Sequence, residues 1–145
     1  ALHAGKAKRS AELGDLEIIA GGTVALGNGP HVDAARKAVR DTTGFYVGGM
    51  GARDQNFYND LFKRYGYEQE AQEIQDLFLS GKRDEAFSKV PDDYIDRASL
   101  TGDEGRVRER IEVYKDVGVT YLNIDISADT ENPLEVIEKI KAWAE

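Results

Sequence analysis

The sequence predicts an α/β fold built on parallel strands. Three apolar segments of strand length, at 16–26, 98–102 and 119–126, are each followed by a segment with helical spacing. The first of them shows little polar alternation, which suits a strand buried on both faces of a parallel sheet. The stretches between them are long enough for the helical crossovers that parallel neighbours require. The expected order is a leading helix, then β–α, a helical insertion, β–α and β–α.

Residues 1–15 lack a long apolar stripe and read as the tail of a helix and a loop, broken at Gly14-Asp15. In the first strand, Gly21 and Gly22 mark a bulge or a close backbone approach. Gly27-Asn28-Gly29-Pro30 is a turn, and a helix is expected from about Val32, with Val32, Ala35 and Val39 on one face. Right-handed crossovers put the helices on one side if such a sheet curls into a barrel. The region of about 43–98 contains no strand pattern. Phe57, Leu61, Phe62 and Tyr65 form one helical stripe that Gly66 ends, and Ala71, Ile74, Leu77 and Phe78 form a second that Gly81 ends. A third short helix is expected around 84–89, stopped by Pro91, with a last turn at 92–97. Thr101 or Asp103 can cap the next helix, which carries Val107, Ile111 and Tyr114. Along 119–126, Leu122, Ile124 and Ile126 share one strand face, with Tyr121, Asn123 and Asp125 on the other. Asn132-Pro133 opens the last helix, where Val136, Ile140 and Trp143 can face the core.

The 145 residues are the size of one domain. A net charge of −8 argues against a nucleic-acid binder, because phosphate affinity needs clustered Lys and Arg. The absence of cysteine excludes disulfides, thiolate chemistry and Cys-ligated metal centres. His3 and His31 are the two histidines, far apart, so no metal site is expected. No apolar run approaches the ~20 residues of a membrane helix, and no signal-peptide pattern is visible. A cytoplasmic protein is expected.

The run Gly102-Asp103-Glu104-Gly105-Arg106-Val107, followed by 111–119 and 121–124, resembles the closing segment of luciferase-like oxidoreductases. The stretch FYVGGMGAR at 45–53, with NFYNDL at 56–61, is similar to a branch of deazaflavin (coenzyme F420)-dependent oxidoreductases. The strand at 18–26 and the following Val32-Asp33-Ala34-Ala35-Arg36 fit the same pattern. The G-x-x-x-x-V element matches many βα units, whereas the glycine–arginine stretch is far more specific. The resemblance implies a (β/α)8 barrel of the TIM type that uses a flavin or deazaflavin for hydride transfer or monooxygenation. A closed barrel needs eight strands and typically ~250 residues. The chain offers three strands, similar to the last three, and opens on Ala1 instead of Met. The expectation is therefore a C-terminal portion of the barrel. It comprises about three βα units with a helical insertion at about 43–98, a single incomplete domain over 1–145. The full-length parent would use coenzyme F420 or FMN, with no cofactor bound by this chain and no turnover by it alone.

Candidate cofactor- or substrate-binding residues are Gly48, Gly49, Met50, Gly51, Arg53, Asn56, Asn28 and Asp125. Successive glycines can converge backbone N–H groups into an anion nest ahead of a helix N-terminus, with Arg53 adding charge. Equally, they can form a bend that lets two helices meet. Asn56 can bond a polar substrate or cap a helix. Asn28 sits in the turn after the first strand, the active-site end in barrel logic. Asp125 can act as a base, pair with a cation or lie solvated at the rim. Its neighbour Asp129 does not make it a good metal site. His31 is either an acid–base group or an exposed loop residue. No residue is assigned a catalytic role. Three strands cannot close on themselves, so self-association through the exposed sheet edges is expected, with no nucleic-acid or membrane partner. The alternative from another class is a stand-alone, non-enzymatic interaction or scaffold module.

Overall fold

The computed structural model describes residues 2–145; Ala1, on which the expected start of the chain rests, lies outside them. A short helix α1 (Leu2–Lys6) and a 3-10 turn (Ala11–Leu13) lead to Gly14, whose φ of 65° ends the turn. Then follow β1 (Ile19–Leu26), α2 (Pro30–Gly49), α3 (Phe57–Arg64), α4 (Glu68–Leu79), α5 (Arg83–Ser88) and α6 (Asp92–Ala98). The chain ends with β2 (Leu100–Gly102), α7 (Glu104–Asp116), β3 (Tyr121–Ile126) and α8 (Pro133–Ala144). Expected and observed elements coincide except at their ends and in α2.

Helix α2 is far longer than its Val32–Val39 stripe announces. It runs through Gly44, Gly48 and Gly49, which on propensity alone are helix-weakening residues. Packing reverses that tendency. A Cβ on Gly48 would lie 2.7 Å from the Cβ of Phe78, and one on Gly49 would lie 2.5 Å from the Phe78 ring. The bare backbone at these positions is the socket for Phe78.

The three strands are all parallel, in the order β2-β1-β3. Val24 pairs with Leu100 on one side, and Ile19 to Val24 pair with Tyr121 to Ile126 on the other. Gly21 stands opposite Asn123 with φ 147°, and any Cβ there would collide with the Asn123 carbonyl. The close backbone approach expected at this glycine is therefore present.

Helices pack on both faces of the sheet, along the length of one and on only part of the other. Val32 and Ala35 of α2 pack on Ala25. Val107 and Ile111 of α7 and Ile140 of α8 pack on Val24 and Leu100, with Leu122, Ile124 and Ile126 around them. Helices on one side were expected for a sheet that curls into a barrel; this three-stranded sheet is open and β1 is central. The crossover to β2 and the crossover to β3 run in opposite directions, and right-handed connections of that kind place their helices on opposite faces. The sheet stays open, with β2 and β3 as its edges.

A second core lies among the helices between β1 and β2. Val47, Phe62, Tyr67, Ala71, Ile74, Ala86, Val90 and Ile95 are buried together, with Phe78, Phe87 and Tyr94 against them. Phe62 stacks on Tyr67 at 4.8 Å and meets Tyr94 edge-on at 4.7 Å. Such pairs add to area burial.

Candidate functional site

The carboxyl ends of all three parallel strands open on the same side, and the chain leaves β1 and β3 into helices on opposite faces, α2 and α8. That is where open α/β sheets place a ligand crevice. Here the crevice is a cavity of about 480 Å³, lined by Leu26, Pro30, His31, Asp129, Thr130, Glu131, Asn132, Glu135, Val136 and Lys139. The N-termini of α2 and α8 both begin at its wall, each with proline in its first turn. Proline suits that position because its missing N–H would find no intrahelical partner.

His31 and Lys139 are anchored at the crevice, whereas the buried Thr130 hydroxyl has no hydrogen-bond partner. The His31 Nε2 lies 2.8 Å from the Leu26 carbonyl. A carbonyl only accepts, so Nε2 carries a proton and the ring is held across the β1–α2 turn. Lys139 reaches Glu135 at 2.9 Å and Glu104 at 3.0 Å. Its pKa is raised, first by the hydrogen bond to Glu135 and then by that to Glu104. Asp129, Glu131 and Glu135 make the remaining wall acidic.

Beside the crevice, a polar network holds the end of β2. Asp96 forms ion pairs with Arg36 at 2.7 Å and with Arg106 at 2.6 Å. The Arg106 Nε donates to the Thr101 carbonyl at 3.1 Å, and the buried Thr101 and Ser99 hydroxyls are 2.8 Å apart. Arg40 joins Asp92 and the Val90 carbonyl. These bonds tie α2, α6 and α7 to one strand end.

The residues singled out in the sequence fall into two groups. Asn28 is exposed at the end of β1, and Asp125 is exposed on β3. Asp125 lines a cavity of about 350 Å³ with Thr23, its register partner, and with Ala35 and Asp129. Gly48, Gly49, Met50, Gly51, Arg53 and Asn56 lie at the far end of α2. An eighteen-residue helical rise is about 27 Å, so the two groups do not share a site.

The glycine run does not form an anion nest. Gly48 and Gly49 close a helix, and a C-terminus is the negative end of the helix dipole. None of the residues 48–51 has positive φ. The run instead lets helices meet, through Phe78. Met50 is exposed. Gly51 abuts the Gln55 backbone so closely that a Cβ would overlap it. Arg53 pairs with Asp76. Asn56 is 1% exposed, caps α3 by accepting from the Tyr58 and Asn59 N–H groups, and donates to the Tyr46 and Val47 carbonyls. Its capping reading is the geometry found.

Lys139, Glu131 and Glu135 were not singled out in the sequence. Glu135 and Lys139 form an i, i+4 pair after Asn132-Pro133, which reads as ordinary surface helix. Among the described residues, no group of three or more His, Cys, Asp or Glu is arranged to hold a metal ion. No helix among them is long and apolar enough to cross a membrane.

Parallel βα units opening on a strand-end crevice define an α/β protein with a ligand-type site, and its family is shown by its sequence. The chain belongs to the luciferase-like monooxygenase family, whose model matches residues 1–121. A relative in Mycobacterium tuberculosis, named "Putative coenzyme F420-dependent oxidoreductase Rv3520c", is 38% identical over 116 residues. That match covers 80% of this chain and 32% of the relative, so the chain spans about a third of the relative's length. No solved structure matches the chain.

Proposed function

We propose that the chain supplies part of the site of a coenzyme F420-dependent oxidoreductase, with the strand-end crevice as its contribution. The observation that carries this reading is the 38% identity to the mycobacterial protein named for that coenzyme, over four-fifths of the chain. A deazaflavin accepts or delivers the hydride, and the protein's part is to bind and orient it.

The crevice does not fit the whole coenzyme by itself. Its wall presents Asp129, Glu131 and Glu135, and its ammonium group, Lys139, is already bound to two carboxylates. An anionic cofactor needs cationic or N–H donors in excess of carboxylates. No catalytic step is therefore assigned to this chain alone. What it offers is positional: two helix N-termini, a fixed His31 and a strand end held by the Arg36–Asp96–Arg106 network.

The test is a chimaera in which this chain replaces the matching third of the mycobacterial relative. Binding is read from coenzyme F420 fluorescence, with FMN as the competing ligand. Saturable F420 binding that weakens on Pro30→Trp, which fills the crevice mouth, supports the reading. A folded chimaera that takes FMN and ignores F420 overturns it.

A further inference from the structure

We propose that the helices between β1 and β2 form an aromatic box that binds a compact organic ammonium cation. This inference is independent of the cofactor reading, because the box lies elsewhere. Its first wall residue, Thr42, is twelve residues along α2 from Pro30 at the crevice, a helical rise of about 18 Å.

The cavity measures about 270 Å³. Five of its nine lining residues are aromatic, Tyr46, Tyr58, Phe62, Tyr65 and Tyr94, and none of the nine is charged, so its chemistry is that of ring faces. The walls come from α2, from α3 with its C-terminal Tyr65, and from α6, and every one of them is supplied by residues 42–94. Phe62 is buried and forms the floor, while Tyr46, Tyr58 and Tyr65 are exposed at the rim.

Ring geometry favours a rounded guest. Tyr46 and Tyr58 lie 4.6 Å apart at an interplanar angle of 63°, and Phe62 and Tyr94 lie 4.7 Å apart at 65°. A flat aromatic ligand is held best between parallel rings. Walls set at steep angles make corners instead, and corners wrap a compact group.

Charge then selects among compact guests. The face of an aromatic ring carries the negative part of its quadrupole, and cages of such rings recognise quaternary ammonium groups. Burial first, and then the neighbouring Tyr65, pushes the Tyr94 phenol above its ordinary 10.0, so at neutral pH the box holds a neutral hydroxyl and binds through its rings. With no lysine or arginine in the lining, no resident cation competes for them. Arg97 lines the adjoining cavity and is paired with Asp93 at 3.6 Å. The net charge of −8 draws cations toward the chain.

Titration of the 145-residue chain with choline, followed by proton NMR of the ligand methyl groups and the tyrosine rings, tests this. Choline is expected to bind saturably, with its methyl signal moved upfield by the ring currents. Its uncharged isostere, in which carbon replaces the nitrogen, is expected to bind about tenfold more weakly. Tyr58→Leu removes one wall and is expected to raise the choline Kd about fivefold, whereas Tyr58→Phe keeps the ring and is expected to keep the affinity. Tyr58 is 38% exposed, so both variants are expected to fold, which far-ultraviolet dichroism checks. A chain that does not bind choline saturably overturns the proposal. So does equal binding of the uncharged isostere, an affinity indifferent to Tyr58→Leu, or one lost on Tyr58→Phe.

Discussion

Between β1 and β2 the chain buries an aromatic core among five helices, whereas across the sheet it covers one face and only part of the other. In the helical lobe, Phe62, Ile74, Ala86 and Ile95 are almost wholly removed from water, and the buried Asn56 joins two helices through four hydrogen bonds. On the sheet, the adjacent pair Ile19 and Tyr121 remains 67% and 55% exposed. The lobe closes its core with its own residues, while Phe57 and Tyr65 stay exposed at its surface. The sheet leaves part of its β1–β3 face in water, and the proposed function lies at the strand ends of this sheet.

Predictions that break or sharpen this contrast can be ordered by size. Phe62→Ala removes the ring at the centre of the lobe and should destabilise it by about 4 kcal/mol. The chain's one tryptophan, Trp143, packs with the sheet core, so its fluorescence reports the sheet while tyrosine near-ultraviolet dichroism reports the lobe. The tyrosine signal should melt first in this variant. Coincident melting would mean one cooperative unit and would remove the contrast.

Asn56→Ala loses the α3 cap and leaves the Val47 carbonyl with fewer donors; a loss of about 3 kcal/mol is expected from chemical unfolding. Gly48→Ala forces a methyl against Phe78 and should cost about 2 kcal/mol, against a stabilising effect if the glycine were merely a weak helix residue. At the small end, Ile19→Thr should change stability by less than about 0.5 kcal/mol, because its side chain is mostly in water already. A large loss there would show that the sheet face is covered in solution.

The lobe should also carry an alkaline limit. Tyr67 has its pKa raised above the ordinary 10.0, first by burial and then by donating to Asp93 at 2.8 Å. A raised value in the folded state means stability that is complete below pH 10 and falls as pH climbs through the folded value. Tyr67→Phe should flatten that alkaline decline in a pH series of thermal melts, while leaving Trp143 fluorescence unchanged.

Much of this architecture was legible in residue order. The β3 alternation placed Leu122, Ile124 and Ile126 against helices and left Asn123 and Asp125 outside, as found. Asp103 caps α7, Asn132-Pro133 opens α8, and Gly66 and Gly81 follow α3 and α4. These are local effects, in which a side chain acts on a backbone a few residues away. The site was less legible. Gly48 and Gly49 read as a nest or a bend, not as helix, because their helical cost is local while their compensation, Phe78, is thirty residues on. Lys139 and Glu135 read as surface helix because nothing local says that α8 starts beside the end of β1.

Sequence alone determined which segments are strands and which are helices and which residues share a face, because periodicity and capping act over a few residues, while the family resemblance rested on the motifs at 45–61 and 102–124. Tertiary structure alone decided that β1 is central, that helices flank both faces, that the glycine run is a socket and not a nest, and that the crevice wall is acidic. Those outcomes depend on contacts between residues far apart in the chain, where packing, and not local preference, sets the free energy.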